Sequence, residues 1–292
     1  MKLIRQDQVN IKGQDDPGTL KHCERPGNDL YIYLVEGRVG ESDEGILGGS
    51  FMGNWVEEGD NFLFFSRPAD EEIQKLRQIH PELVILDKYD FSYEQWQGLI
   101  PERLRLGRFI ISPPWVDDAT EAGLISLILD PGLVFGNGLH PTTKHCLEAV
   151  CLAYKENRFE NVIDFGTGTG VLAIAAALLG AETALAVDIN PLCVKTAKRN
   201  VKLNGLGRKV KVIEASAEEF RSERSDLVLA NLHYEVLIKL IEDETFRQDR
   251  AYILSGLMRS DSRQVLSLVQ RYGFEVLGQW DYEMTWFTIF FN

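Results

Sequence analysis

The chain reads as an α/β protein: a doubly wound, Rossmann-like sheet of seven strands carrying a smaller N-terminal α+β unit. Three observations predict this. From Asn161 onward, short apolar strands alternate with helical stretches of about 10–15 residues, the rhythm of right-handed parallel β-α-β crossovers. The first of those strands, NVIDF, runs straight into the glycine turn GTGTG. The last two apolar runs, FEVLGQWDYE and MTWFTIFFN, leave no room for a helix between them and so form an antiparallel hairpin.

The elements follow in order. Between Leu30 and Trp115 the texture is strand and turn: YIYLVEGRV, NFLFFS, ELVILDKY and GRFIISPPW, with one helical stretch, DEEIQKLRQIH, whose Ile73, Leu76 and Ile79 recur at helical spacing. Tyr31, Tyr33 and Val35 alternate with Ile32 and Leu34, as a strand packed on both faces requires. Pro113-Pro114 ends this unit, because proline cannot donate to a ladder. The acidic stretch VDDATEAG then suits an exposed connector and hinge. The division predicted is 1–115 for the small unit, 116–127 for the linker and 128–292 for the large domain. In the large domain NVIDF is followed by helix VLAIAAALLG, strand ETALAVDIN, helix PLCVKTAKRNVKLNG and strands KVKVIEA, SDLVLANL and AYILSGL.

Composition excludes other classes. Two hundred and ninety-two residues, 45% hydrophobic and 26% charged, make a folded chain of two units rather than a disordered or fibrous one. The net charge of −13 is spread over both parts, 13 basic against 20 acidic residues in 1–115 and 18 against 24 in 116–292. Neither half is a basic footprint, so direct nucleic-acid binding is not expected and a basic partner is favoured. Four cysteines without a Cys-x-x-Cys pair suit a reducing, cytoplasmic setting. No signal peptide, membrane span or metal-ligand cluster is expected, and His22-Cys23 and His145-Cys146 are adjacent pairs that diverge on any regular element. The sequence favours a monomer.

The chemistry concentrates in two glycine-rich stretches. In VIDFGTGTG, Gly166, Gly168 and Gly170 let the backbone turn tightly and bring a ligand against main-chain N–H groups at a helix N-terminus. Asp188, at the end of the next strand, stands where a carboxylate accepts both hydroxyls of a ribose. A dinucleotide fingerprint would place the third glycine one residue later, where Val171 stands. Asp164, two residues before the turn, would repel a pyrophosphate but suits the α-ammonium of S-adenosyl-L-methionine (AdoMet); its other reading is a brace for the loop. The second stretch, Asp130-Pro131-Gly132-Leu133-Val134-Phe135-Gly136-Asn137-Gly138-Leu139-His140-Pro141-Thr142-Thr143, can fold over a ligand and opens a helix at Pro141.

Taken together, this loop, DFGTGTG, VDIN and VLANL resemble the ribosomal protein L11 methyltransferase family, a group with the seven-stranded AdoMet-dependent methyltransferase layout. The likeness covers roughly residues 105–292 and is weaker before them. It implies that Thr143, Gly166, Asp188 and Asn231 contact AdoMet, to which the reading of the turn adds Asp164, Gly168 and Gly170 as cofactor-binding residues. It implies methylation of lysine and N-terminal amines of a large-subunit ribosomal protein, recognised by a small N-terminal domain that swings over the connector. The sequence departs from the family pattern at Asn137, Leu139, Thr167 and Asn231-Leu232-His233.

Asn231, at the carboxyl end of SDLVLANL, is the catalytic candidate: its amide oxygen and a neighbouring carbonyl would accept an amine's hydrogens and aim the nitrogen lone pair, although a turn former would also stand there. His140, His233 and Glu235 are the nearest potential bases, and none is assigned. Lys195, Lys198, Arg199 and Lys202 share one helical face, read as solvated rather than RNA-binding. Tyr31, Tyr33, Trp55 and Glu57 of the small unit grip a protein substrate or, for half of them, join its core. Other acceptors (another protein, RNA or a small-molecule amine), a non-catalytic AdoMet-binding assembly factor and an NAD-dependent oxidoreductase stay open at this level.

Overall fold

The structure, a computed structural model, describes residues 27, 29–57, 59–116, 121–248 and 250–292. His22, Cys23, the N-terminal segment read for a leader, and residues 117–120 of the expected hinge lie outside the described residues.

The large unit is built on a seven-stranded sheet. In chain order its strands are β8 (Asn161–Phe165), β9 (Thr183–Asp188), β10 (Val210–Glu214), β11 (Leu227–Asn231), β12 (Ala251–Leu257), β13 (Val276–Tyr282) and β14 (Trp286–Phe291), arranged in the order β10-β9-β8-β11-β12-β14-β13. The first five are parallel, and β14 pairs antiparallel with β12 and β13. The expected terminal hairpin is therefore present, inserted with its second strand innermost.

Helices cover both faces, which is why the central strands are buried at nearly every position and mostly apolar. Successive residues alternate between two cores. Leu227 and Leu229 of β11 and Ala251 and Ile253 of β12 face α4 (Pro141–Glu156), α5 (Val171–Leu179) and α6 (Pro191–Leu203). Val228 and Ala230, with Tyr252 and Leu254, face α7 (Tyr234–Glu242) and α8 (Arg259–Arg271). All seven residues Val171–Ala177 of α5 are buried. Small side chains there let the helix lie close against the strand that feeds it.

The small unit is a four-stranded antiparallel sheet in the order β2-β3-β1-β4, formed by β1 (Asp29–Glu36), β2 (Phe51–Glu57), β3 (Asp60–Phe65) and β4 (Val84–Ser92). Three helices accompany it: α1 (Glu44–Leu47), α2 (Asp70–Ile79) and α3 (Tyr93–Gln97). On α2, Ile73 and Leu76 are buried as the spacing predicts, but Ile79 is 59% exposed because the helix ends there. β2 was not read from the sequence: Gly53, Asn54 and the closing Glu57 interrupt its apolar pattern.

β1 packs on both faces. Tyr33 and Val35 join α2, whereas Leu30 and Ile32 join Phe64, Leu133, Val134, Leu192 and Cys193. The second face is thus buried against the large unit.

Two features depart from the division read in the sequence. β6 (Phe109–Ser112), placed there in the small unit, pairs with β5 (Leu104–Leu106) and with β7 (Ile125–Ile128). Leu106, Phe109, Ile111 and Leu127 pack into the same core as α4 and α5, so this three-stranded sheet belongs by packing to the large unit. Residues 125–127 of the expected linker are a strand rather than a connector. Apolar content alone could not assign FIIS to a core, because short buried strands look alike whichever body they join.

Leu192, 7% exposed at the first turn of α6, fills the interface between the units, and a Cβ on Gly53 would lie 2.5 Å from its Cδ1. Truncation by Leu192→Ala is expected to destabilise the protein by about 2–5 kcal/mol. Urea unfolding followed by circular dichroism tests this, and a midpoint equal to that of the parent would show that the interface contributes nothing.

Candidate active site

The site forms where the parallel strands end. β9, β8 and β11 are neighbours, so their carboxyl ends bring Asp188, the Gly166–Gly170 turn and Asn231 to one edge. In an open α/β sheet this is the edge at which ligands bind.

The turn is held from both sides. Gly166 N and Thr167 N donate to the Val187 carbonyl, and Gly168 N donates to Asp188 Oδ2 at 2.9 Å. Gly166, Gly168 and Gly170 all have positive φ, at 65°, 54° and 83°. Gly168 meets a further constraint, since a Cβ there would lie 2.5 Å from the Phe135 carbonyl oxygen. That carbonyl belongs to the second glycine loop, which closes over the first: Thr169 N donates to Phe135 O, and Thr169 Oγ1 donates to Gly136 O at 2.8 Å. The Leu232 side chain packs on Gly166.

Asp188 is 8% exposed, and burial pushes its carboxyl above the usual range, with N–H groups of Asn190 and Gly168 acting in the other direction. The adjacent Ile189 is 73% exposed, leaving an apolar side chain beside the buried acid. Asp164 is 1% exposed, and burial raises its pKa to about 7. Its Oδ2 accepts from the Thr167 hydroxyl and from Ala173 N, so it does brace the turn. Thr167, where the family more often has cysteine, supplies one of these donors.

Two buried side-chain oxygens at this edge have no partner among the described residues: Asp164 Oδ1 and Thr143 Oγ1. Burying such atoms unpaired is costly, and in a native fold they indicate a missing ligand or water. A carboxylate oxygen, a hydroxyl and the Asp188 carboxylate suit an α-ammonium and a ribose, so the residues present fit AdoMet.

Asn231 is half-buried. Its Nδ2 donates to Thr142 Oγ1 at 3.2 Å, and Thr142 Oγ1 lies 2.8 Å from His140 Nδ1. The proton order follows from one further bond. The Thr142 main-chain N–H, which can only donate, also points to His140 Nδ1, so that nitrogen is the acceptor. The Thr142 hydroxyl therefore donates to His140 and accepts from Asn231, which leaves Asn231 Oδ1 on the side of Gly256. Burial lowers the His140 pKa, keeping the ring neutral and this order intact at neutral pH. His140 is thus the N-cap of α4 rather than a base, edge-on to Trp286 and Phe135 at 5.0 and 5.2 Å.

His233 and Glu235 are exposed. Arg199 pairs with the buried Asp130 at 2.9 Å, so one member of the basic face of α6 anchors the second loop, while Lys195, Lys198 and Lys202 are exposed. Tyr33 is buried in the small unit's core, Tyr31 and Trp55 are partly buried, and Glu57 is exposed.

Thr142 and Trp286 were not singled out in the sequence. Threonines 142 and 143 carry equal weight there, and only the packing separates the brace of Asn231 from the orphaned hydroxyl. Asn137 and Leu139, departures from the family pattern, face the small unit. Asn137 Nδ2 donates to the Gln97 carbonyl at 2.8 Å, and Leu139 Cδ1 would lie 3.3 Å from a Cβ on Gly98.

Two binding predictions follow from these geometries. Asp188→Ala is expected to weaken AdoMet by at least about 100-fold by calorimetry, the loss of two hydrogen bonds to a charged acceptor. The second concerns pH: with the Asp164 pKa near 7, its carboxyl must lose a proton to receive an ammonium, so AdoMet affinity should fall as pH drops from 8 to 6. Asp164→Asn should flatten that profile. An equally steep profile in the variant would remove Asp164 from the ammonium site.

Comparison with known proteins agrees with this architecture. Residues 54–292 match the family model for ribosomal protein L11 methyltransferase. The chain is 32% identical over 259 residues to the ribosomal protein L11 methyltransferase of Desulfitobacterium hafniense, covering 85% of this chain and 82% of that protein. It is 36% identical over 172 residues to that of Anoxybacillus flavithermus, a match spanning 58% of this chain and only about half, 54%, of that relative. The crystal structure of the ribosomal protein L11 methylase from Lactobacillus delbrueckii subsp. bulgaricus superposes with a TM-score of 0.58 at 28% identity, covering 66% of this chain and 98% of that one. The sheet order, the two glycine-rich stretches and these likenesses converge: the chain belongs to the ribosomal protein L11 methyltransferase family.

Proposed function

We propose that this protein is an AdoMet-dependent N-methyltransferase acting on lysine and N-terminal amines of a large-subunit ribosomal protein, in the cytoplasm. The observation that carries this reading is the convergence of Asp188, the glycine turn and Asn231 on three adjacent strand ends. The relatives' names point to L11 as the acceptor. Among the described residues no helix is long and apolar enough to cross a membrane.

Asp188, Asp164, Thr143 and the glycine-turn N–H groups would hold AdoMet, which when bound supplies a methyl group on a cationic sulfur. The chain's own contribution is positioning. The amide nitrogen of Asn231 is committed to Thr142, and its Oδ1 accepts from no donor among the described residues. The next carbonyl, that of Leu232, approaches Gly256 so closely that a Cβ there would collide with it; Gly256 has a φ of 87°. Both oxygens can accept hydrogens of an incoming amine and turn its lone pair toward the donor, and alignment of this kind supplies several kcal/mol. The amine must arrive neutral. Desolvation and the nearby cationic sulfur both disfavour the ammonium, so no side-chain base is required. The small unit, docked on the second loop, would recognise the acceptor protein.

Purified protein, AdoMet and L11 should yield peptides heavier by whole methyl groups in mass spectrometry. No mass change on L11, with transfer to another acceptor in cell extract, would reassign the substrate. Thr142→Val removes the brace of Asn231 and should lower kcat about tenfold, with AdoMet affinity within twofold of the parent; an unchanged kcat would show that Asn231 needs no orienting partner. Protonation of His140 should disrupt the same order. Because burial lowers its pKa, kcat should hold down to pH 6.5, the ordinary histidine value, and decline only below it.

A further inference from the structure

A second cavity, of about 620 Å³, lies between the small unit and the outer side of the second glycine loop. Its small-unit wall is aromatic. Trp55 and Phe62 are directly opposed across β2 and β3, and Trp96 of α3 completes the wall. Trp96 is fixed in place: its Nε1 donates to the Leu133 carbonyl at 3.0 Å, and its ring meets Phe64 edge-on at 5.1 Å. Yet 39% of it stays exposed.

Glu57 stands two residues beyond Trp55, on the same face of β2, and accepts from the Trp55 indole N–H at 3.4 Å. Among the described residues no lysine or arginine lines the cavity, and burial holds the histidine that does, His140, toward the neutral form. Three aromatic faces with one carboxylate and no opposing cation form a site for an alkylated ammonium.

We propose that Trp55, Phe62, Trp96 and Glu57 bind a methylated lysine side chain of the protein substrate, at a site separate from the transfer site. Methylation makes an ammonium less strongly hydrated, so aromatic faces can replace its water more easily than they can for an unmethylated lysine. The cavity shares His140 with the support of Asn231, so the two sites are neighbours. A substrate already methylated at one amine would be retained there while another amine reaches Asn231. The inference rests on the reading of the chain as a protein N-methyltransferase.

The test is titration of the 15N-labelled full chain with Nα-acetyl-trimethyllysine methylamide, observing its five tryptophan indole N–H signals. The Trp55 and Trp96 signals, assigned through Trp55→Phe and Trp96→Phe, should shift saturably. The unmethylated lysine derivative should bind at least fivefold more weakly, and the uncharged norleucine derivative should leave both signals in place. Trp55→Ala should weaken binding at least tenfold and Glu57→Gln at least fivefold; Glu57 is exposed, so its exchange tests the site without disturbing the fold. Equal shifts with norleucine, equal affinity for the unmethylated lysine, stationary Trp55 and Trp96 signals, or displacement of the ligand by AdoMet or adenosine monophosphate would each overturn the proposal. The mass-spectrometric assay on L11 is independent of this titration: lost transfer with intact indole shifts would condemn the functional reading and leave the ammonium site standing.

Discussion

The organisation of the molecule depends on closure of one glycine loop over another. Thr169 donates through both its main-chain N–H and its hydroxyl to the carbonyls of Phe135 and Gly136. Beneath this contact, Gly168 donates to Asp188. Above it, Tyr93 and Gln97 of α3 donate to the carbonyls of Gly132 and Val134. A continuous path of hydrogen bonds therefore runs from the small unit, through the loop and the turn, to the acid read as the ribose acceptor. Displacing the loop would leave several buried donors and acceptors unpaired, which disfavours partial opening more than any single bond does.

The same closure sets the order of hydrogen bonds around Asn231. The loop delivers His140 and Thr142 to Asn231, and a neutral histidine that only accepts dictates the direction of each proton in the series. Both histidines considered as bases have other places: His140 caps α4, and His233 is exposed at the start of α7. The residues that differ from the family pattern are accounted for in the same terms. Thr167 braces Asp164 within the large unit, while Asn137 donates to the Gln97 carbonyl and Leu139 lies against Gly98, so these two departures lie where the two units meet.

How much could be read beforehand depended on whether a signal was local. The parallel strands were legible because burial on both faces demands unbroken apolar runs, and the glycine turn because its positive φ values need residues without a Cβ. Asp164 was legible only as two alternatives. The structure shows it bracing the loop through one oxygen while the other lies buried and unpartnered, so neither reading displaces the other. β2 was lost because its alternation is interrupted, and with it the cross-strand pair of Trp55 and Phe62. The packing of β6 was not legible because it joins a core formed by α4 and α5, which lie well beyond it in the chain.

Residue types and their spacing by themselves determined the fold class, the glycine turn, the acid at the end of the second strand and the asparagine at the end of the fourth, since each is a short-range consequence of backbone sterics or strand periodicity. Which hydroxyl would brace that asparagine, which oxygens would be left buried and unpaired, and which aromatic rings would face a shared cavity were decided only in three dimensions. Those properties belong to pairs of residues far apart in the chain, and no local pattern specifies a partner that packing alone brings into reach.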